Sequence, residues 1–151
     1  MRIHQCGPEH LDELATLRTR LWPDLPIEEH RADIAGAYDG SRTAVAFIAR
    51  DVRDTPIGFA EATLRTDYVN GCDTSPVAFL EGMYVDPAHR RAGIARMLCD
   101  AIEAWGRALG CTELGSDALL ENPTGQAMHA ALGFEERERV VYYRKMLGTG
   151  H

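Results

Sequence analysis

The chain has 151 residues, a length that suits one domain with a single hydrophobic core and leaves little room for a second. Its formal net charge of −7 argues against nucleic-acid binding, because nucleic-acid-binding domains carry basic patches. No apolar run approaches the roughly 20 residues that cross a bilayer, so we expect one domain over residues 1–151 without a membrane partner.

Turn-forming residues divide the first half of the chain into extended and helical segments. A helix opens at Gly7-Pro8 and carries leucines at helical spacing. It ends at Pro23, because proline lacks the donor N–H and disfavours helix in the residue before it. The predicted elements are a strand at 2–6, this helix, a weaker helix at 27–38, strands at 44–50 and 56–64 joined by a turn, and a loop at 65–76.

The second half contains the most regular helix of the sequence. Apolar residues from Ile94 to Leu109 follow one face with a 3.6-residue period, and Gly110 closes the helix. The predicted elements are a strongly apolar strand at 77–86, this helix, a strand at 111–117, a helix at 123–132 and two final strands within 134–147. The order β-α-α-β-β-β-α-β-α-β-β predicts a mixed α+β fold.

The four cysteines show no spacing typical of a disulfide framework or a metal site. None forms a Cys-x-x-Cys pair and no histidine lies at zinc-finger spacing, so we expect buried thiols and no metal. The first residues lack the apolar stretch and cleavage site of a signal peptide, which favours a cytoplasmic location. The negative net charge suits a cationic partner, although solubility alone would also account for it.

The segment 85–95 carries the strongest functional signal of the sequence. A buried strand ends at Val85-Asp86-Pro87, a turn follows, and a helix begins inside the pattern Arg-x-x-Gly-x-Ala. The first N–H groups of a helix lack internal partners and lie at the positive end of its dipole. Gly93 lets the backbone approach a ligand, and Arg90 and Arg91 add charge, so a pyrophosphate would fit. Taken alone, the pattern also fits an ordinary strand-to-helix turn with two exposed arginines.

The order of these features along essentially the whole chain resembles the GNAT family of N-acetyltransferases. The matching features are strand 77–86, the Arg90–Ala95 loop, the helix to Leu109, the strand to Asp117, Asn122 and Leu132-Gly133-Phe134. The resemblance implies the GNAT fold, with a mixed sheet of about seven strands flanked by about four helices, and acetyl-CoA as co-substrate. It implies that the pyrophosphate is held by Arg90, Arg91, Ala92, Gly93, Ile94 and Ala95, and the pantetheine arm by Met83, Tyr84, Val85 and Asn122.

Shorter segments resemble the chromosomal-type aminoglycoside 6′-N-acetyltransferases within this family. They are Leu21-Trp22-Pro23, the loop 67–73, Ser75-Pro76-Val77, residues 79–82, Ser116-Asp117 and residues 136–140. The resemblance implies a homodimer that transfers acetyl to the 6′-amino group of aminoglycoside antibiotics and so confers resistance. It implies substrate binding by Trp22, Tyr68, Glu81, Asp117 and Glu138, with Glu138 reaching the site of the partner subunit.

The residue types support a site for a substrate with several ammonium groups. Glu81 lies within an apolar strand, where a carboxylate is costly unless paired or functional, and this favours a functional role. Asp117 ends a central strand, where open sheets bind ligands, but it could equally cap a helix or form a turn. Trp22 and Tyr68 could face a sugar ring or pack within the protein. Glu138 could simply be a solvated charge.

The chemistry requires a base and an acid. An alkylamine with a pKa of about 10.4 arrives protonated, so Glu81, directly or through water, is the candidate base. Backbone N–H groups of residues 83–85 would polarise the thioester carbonyl. Many GNAT enzymes place a tyrosine as the acid where this sequence has His129, so we predict His129 as the acid. A partly buried structural histidine is the alternative reading, and Tyr142 and Tyr143 are other candidate acids.

Two other functions stay open at this point. One is an acetyltransferase for another polyamine or for a peptide N-terminus. The other is a module that binds acetyl-CoA as a sensor without turning it over. The carboxylates of Glu81 and Asp117 argue against the sensor, because binding acetyl-CoA alone requires neither.

Overall fold

The computed structural model describes residues 1–38, 43–90 and 92–148. These residues form one sheet of five strands in the order β1-β2-β3-β4-β5, antiparallel from β1 to β4 and parallel between β4 and β5. The strands are β1 Arg2–Gln5, β2 Ala44–Arg50, β3 Pro56–Arg65, β4 Val77–Val85 and β5 Leu114–Ser116. The helices are α1 Leu11–Leu21, α2 Ile27–Asp33, α3 Ile94–Ala108 and α4 Pro123–Ala131.

Helices cover both faces of the sheet, which is why β2 and β3 are buried along most of their length. On one face, Leu98 and Ile102 of α3 pack with Leu80 of β4 in one apolar cluster. On the other face, α1 contributes Leu14 and Leu17 to a second cluster. The described part of the chain contains no helix long and apolar enough to span a bilayer.

All four cysteines are free and buried, one or two more than the two or three buried thiols that the sequence predicts. Burial raises the pKa of Cys6 and of Cys99 to about 12, and Cys72 and Cys111 are shifted upward for the same reason. These thiols therefore stay protonated at neutral pH and act as small apolar side chains.

The structure departs from the predicted elements mainly at the C-terminus. The prediction of two strands within 134–147 is wrong, because residues 134–148 contain neither helix nor strand, and the described sheet has five strands rather than about seven. The β-branched and aromatic residues of 134–148 favour extended structure, but a strand also requires a partner, and none of the described strands pairs with this segment. α2 ends at Asp33 rather than near 38, and β5 covers only three residues. The mixed α+β class itself is confirmed.

Candidate active site

The centre of the sheet opens into a fork between β4 and β5. The two strands pair at Ala78–Leu114, Phe79–Gly115 and Leu80–Ser116, and among the described residues no further pair follows. Residues 81–85 of β4 therefore present one edge of their backbone without a neighbouring strand. An extended ligand arm could hydrogen-bond to this edge as a strand would. The predicted pantetheine-binding residues Met83, Tyr84 and Val85 lie there.

The N-terminus of α3 lies just beyond the open end of β4. Gly93 precedes the helix with a φ of +81°, in the left-handed region that favours glycine, and no atom lies within 4 Å of the position of its absent side chain. Ile94 is buried in the core, so only its backbone N–H can serve a ligand. The open space, the free N–H groups and the helix dipole suit an anion.

Of the two arginines in this loop, the structure describes only Arg90. The Nε of Arg90 donates a hydrogen bond of 3.0 Å to the carbonyl oxygen of Val85, so this side chain bends back over the end of β4. Arg91 lies outside the described residues. Ala92 is exposed and Ala95 is half-buried, so neither side chain closes the space over the helix end.

Glu81 lies at a β-bulge in β4. Glu61 pairs with Gly82 and Ala62 pairs with Leu80, which leaves Glu81 as the extra residue. The sequence predicts that the apolar strand buries this carboxylate. That prediction is wrong, since the Glu81 side chain is 33% exposed. Thr63 Oγ1 and Arg65 Nη2 each donate to Oε1 of Glu81 at 2.7 Å. Oε2 has no hydrogen-bond partner among the described residues.

Trp22 lies against the next residue of the same bulge. A Cβ on Gly82 would lie 2.5 Å from Cη2 of the indole, so only glycine leaves room for the ring. The Arg18 guanidinium lies 5.1 Å from the centre of the ring, within cation–π distance, and His30 Nε2 lies 2.9 Å from the carbonyl oxygen of Trp22. The half-buried Trp22 therefore adjoins the strand position next to Glu81.

We expect Gly82→Ala to move the Trp22 ring and to lower the free energy of unfolding by about 1–3 kcal/mol, as overpacking does. Intrinsic fluorescence and chemical denaturation would measure both effects. Gly36→Ala is the matched control, because no atom lies within 4 Å of its Cβ position and both signals should stay unchanged. Wild-type fluorescence and stability in the Gly82 variant would contradict the close contact.

A buried polar network under Trp22 was missed by sequence reasoning. Arg18 Nη1 lies 2.8 Å from both carboxylate oxygens of Glu61, and the Tyr38 hydroxyl also donates to this carboxylate. Arg18 Nε reaches Nδ1 of His30 at 3.2 Å. The available signal was Glu61 itself, a carboxylate in the middle of an apolar strand.

The loop between β3 and β4 is tied to the start of β5. The carboxylate of Glu113 accepts hydrogen bonds from the backbone N–H groups of Asp73 and Thr74 and from the Thr74 hydroxyl, and these bonds hold its pKa below the usual range. Val69 is buried in a small cluster, whereas its neighbour Tyr68 is 76% exposed. The loop thus presents the Tyr68 ring to solvent from a fixed base.

His129 of α4 lies behind the fork and is held at both ring nitrogens. Its Nδ1 lies 2.6 Å from the carbonyl oxygen of Gly125, and its Nε2 lies 2.7 Å from the Ser116 hydroxyl. Ser116 is the last residue of β5 that pairs with β4. His129 is therefore a half-buried helical histidine that contacts the last paired residue of β5 through the Ser116 hydroxyl.

The remaining predicted residues are less constrained. Asp117 follows β5 directly and is exposed, and it does not cap α4. Asn122 takes the capping position, because its Oδ1 accepts a hydrogen bond of 3.0 Å from the Gly125 N–H. Glu138 is exposed in the C-terminal segment, as are Tyr142 and Tyr143. The structure places Trp22 and Glu81 at one bulge and leaves Glu138 apart in this segment.

The comparisons with known proteins agree with this architecture. Residues 9–134 match the acetyltransferase (GNAT) family, and the chain therefore belongs to that family of acetyl-CoA-dependent N-acetyltransferases. This membership confirms the predicted fold, the class of enzyme and acetyl-CoA as co-substrate.

Similar proteins within this family are named as aminoglycoside 6′-N-acetyltransferases. The aminoglycoside N(6′)-acetyltransferase type 1 of Salmonella typhimurium is 48% identical over 145 residues, which cover 96% of this chain and 99% of that protein. The AAC(6′)-Iy structure in complex with the bisubstrate analogue CoA-S-monomethyl-acetylneamine has a TM-score of 0.86 at 45% identity and covers 96% of this chain and 97% of its own. The structure of the aminoglycoside 6′-N-acetyltransferase of Acinetobacter haemolyticus has a TM-score of 0.91 at 40% identity. The match covers 98% of this chain and 100% of that one.

Proposed function

We propose that the protein transfers the acetyl group of acetyl-CoA directly to the 6′-amino group of aminoglycosides, and thereby confers resistance to them. The observation that carries the proposal is the position of Glu81, a partly exposed carboxylate at the bulge of β4 beside an open backbone edge. A relative with the same fold along 96% of this chain was solved with an analogue that joins CoA to acetylneamine. A thioester on the open edge and an ammonium group at the carboxylate would meet at this point.

The cofactor side of the site consists mainly of backbone groups. The N–H groups of Gly93, Ile94 and Ala95 and the charge of Arg90 would bind the pyrophosphate, together with Ala92 and Arg91. The open edge at residues 83–85 would bind the pantetheine arm and polarise the thioester carbonyl. Asn122 would contribute its side-chain amide nitrogen, since its oxygen caps α4.

The substrate side combines carboxylates with aromatic rings. Glu81 and Asp117 would bind ammonium groups of the amino sugar, and the net charge of −7 would favour the approach of a polycation. Trp22 and the exposed Tyr68 would contact the sugar faces. Arg65 occupies only one oxygen of Glu81, so Oε2 is left for the substrate.

The reaction needs two protons removed from the amine nitrogen and one supplied to the sulfur. Glu81 Oε2, directly or through a water molecule, would take a proton from the 6′-ammonium group. The neutral amine then attacks the thioester carbonyl and the C–N bond forms. The nitrogen gives up its second proton to solvent, and the C–S bond breaks to release the thiolate. His129 would supply the proton that converts this thiolate to the thiol of CoA.

Mass spectrometry after incubation with acetyl-CoA and a 6′-amino aminoglycoside tests the proposal. We expect a product that carries one added acetyl group, with fragmentation placing it on the 6′ nitrogen. An aminoglycoside with a hydroxyl group in place of the 6′ amine is the matched control and should stay unmodified. Acetylation of polyamines or peptides without aminoglycosides would favour the other acetyltransferase, and CoA binding without any product would favour the sensor.

We also propose that the protein is a homodimer assembled through its C-terminal segment, residues 134–148. Six large apolar side chains of this segment are more than half exposed in the single chain, and so many exposed apolar side chains in one short segment favour a protein partner. They are Val140, Val141, Tyr142, Tyr143, Met146 and Leu147. The segment pairs with none of the described strands of its own chain, so a second copy could pair with it, and Glu138 would then reach the partner's site.

Mixing two defective variants tests this arrangement. If Glu138 acts in the partner's site, Glu81→Gln and Glu138→Lys subunits form one intact site per mixed dimer. Random mixing should then restore roughly a quarter of the wild-type activity, as the symmetry of an isologous dimer requires. Light scattering of the wild type should give the mass of a dimer. A monomeric mass, or no recovery on mixing, would contradict the proposal.

We infer a cytoplasmic location for the protein. Four free cysteines without a disulfide partner are typical of a reducing compartment. Activity measured in separated cell fractions would test this inference, and recovery in a periplasmic or membrane fraction would contradict it.

A further inference from the structure

We propose that Ser116 is a catalytic residue that passes the proton from His129 to the leaving thiolate. The inference rests on the proposed transfer reaction and on His129 as the proton source. It deepens that proposal by naming the group through which the imidazole acts.

The position of Ser116 in the fork points to this role. It is the last residue of β5 that pairs with β4, so its side chain lies where the two strands begin to separate. Its hydroxyl oxygen lies 3.3 Å from the carbonyl oxygen of Leu80 and 2.7 Å from Nε2 of His129. The longer of these contacts is weak, so the hydroxyl group can turn towards a ligand in the fork.

The hydrogen bonds of His129 determine its tautomer. The carbonyl oxygen of Gly125 can only accept, so Nδ1 of His129 carries a hydrogen in both charge states. In the neutral ring, Nε2 is then an acceptor and receives the hydrogen of the Ser116 hydroxyl. In the imidazolium, Nε2–H donates to the Ser116 oxygen and frees the hydroxyl hydrogen for another acceptor.

This exchange balances a single proton transfer. The thiolate takes the hydroxyl hydrogen of Ser116, and the Ser116 oxygen takes the proton from Nε2–H of the imidazolium. The products are the thiol of CoA, an unchanged serine and a neutral His129 that solvent reprotonates. The imidazole then need not contact the thiolate itself, because the serine hydroxyl lies between them in the relay.

Removing the Ser116 hydroxyl and the His129 imidazole, singly and together, distinguishes the relay from a structural role. We expect Ser116→Ala and His129→Ala each to lower kcat about 10²-fold, the usual contribution of a positioned acid, with CoA affinity by calorimetry changed less than about twofold. The double variant should be no slower than the slower single variant, because the two groups act in series. Ser116→Thr should restore kcat to within about fivefold of the wild type, since it retains the hydroxyl.

Thr112→Ala is the matched control, because it removes an exposed hydroxyl from the segment that leads into β5. It should leave kcat unchanged. Normal turnover of Ser116→Ala beside a slow His129→Ala would overturn the relay, as would additive losses in the double variant. A stable acetyl group on Ser116 in the intact protein would also overturn it, because the serine would then be a nucleophile.

A second measurement requires no turnover and so separates this inference from the proposed function. Heteronuclear NMR of the labelled imidazole should show the neutral ring of His129 with its hydrogen on Nδ1, and Ser116→Ala should shift the Nε2 resonance selectively. The opposite tautomer would overturn the relay even if aminoglycosides are acetylated. Failure to acetylate aminoglycosides would overturn the proposed substrate, while the NMR result would still decide the Ser116 contact.

Discussion

Arg18→Met is expected to lower the free energy of unfolding by about 3–5 kcal/mol, the usual loss when one partner of a buried ion pair is removed. Glu61 is only 5% exposed, and Arg18 lies 2.8 Å from both of its carboxylate oxygens. Without Arg18 the carboxylate keeps, among the described residues, only the Tyr38 hydroxyl as a hydrogen-bond donor. Chemical denaturation of the variant and the wild type measures the loss.

The loss should depend on pH in a definite direction. Burial raises the pKa of Glu61 above its usual range, and the Arg18 guanidinium and the Tyr38 hydroxyl oppose that rise. A carboxyl group whose pKa is higher in the folded state contributes stability below its unfolded pKa and loses it as pH rises through the folded value. Arg18→Met removes the opposing charge, so the destabilisation should be larger at about pH 8 than at about pH 5.

Two further variants define the cause. Arg107→Met removes an exposed arginine that pairs with Glu103 in α3 at 3.2 Å, and it should change stability by no more than about 0.5 kcal/mol. Arg18→Met combined with Glu61→Met should recover most of the loss, because the buried charge is then gone. A loss that is small, or the same at both pH values, would show that Glu61 does not depend on Arg18.

The sequence predicts those parts of the fold that local patterns determine. α3 follows from its apolar period, and its ends follow from Gly93 and Gly110, which both adopt a positive φ. The strands from β2 to β4 are similarly evident, because apolar and β-branched residues are bounded by turn residues. The fork between β4 and β5 is not local, since it depends on where two strands 36 residues apart stop pairing.

The environment of Glu81 illustrates what a strand pattern leaves out. Its apolar neighbours predict burial, but the bulge at Glu61–Ala62 shifts the register and turns Glu81 outward. The same register brings Glu61, which drew no functional prediction, into the buried pair with Arg18. A bulge adds one residue to a strand without any characteristic composition, so the sequence alone does not reveal which carboxylate faces the interior.

The C-terminal segment shows a second kind of limit. The β-branched and aromatic residues between 134 and 147 predict strands, yet none of the described strands pairs with this segment. Sheet propensity reflects packing against neighbours rather than an intrinsic preference of the backbone. The secondary structure of this segment therefore depends on contacts outside the segment, and a partner subunit is the contact that we propose.

Glu81→Gln is expected to lower kcat by about 10²- to 10³-fold, within the usual contribution of a general base. The amide is nearly isosteric, so its oxygen can still accept from Thr63 and Arg65, which now bind Oε1 at 2.7 Å. The amide does not take a proton from the ammonium group, and it replaces one acceptor by a donor. Steady-state kinetics with a 6′-amino aminoglycoside and calorimetry with CoA would measure turnover and cofactor affinity separately.

The affinity for CoA should change by less than about twofold, because the predicted pyrophosphate and pantetheine contacts involve other residues. Stability should change by less than about 1 kcal/mol, since the pair with Arg65 is partly exposed. Glu28→Gln, which neutralises an exposed carboxylate of α2, is the matched control for the loss of one negative charge and should leave kcat unchanged. If Glu81→Gln kept the pH–rate profile of the wild type, Glu81 would not be the base, and its carboxylate would serve only to bind the ammonium group.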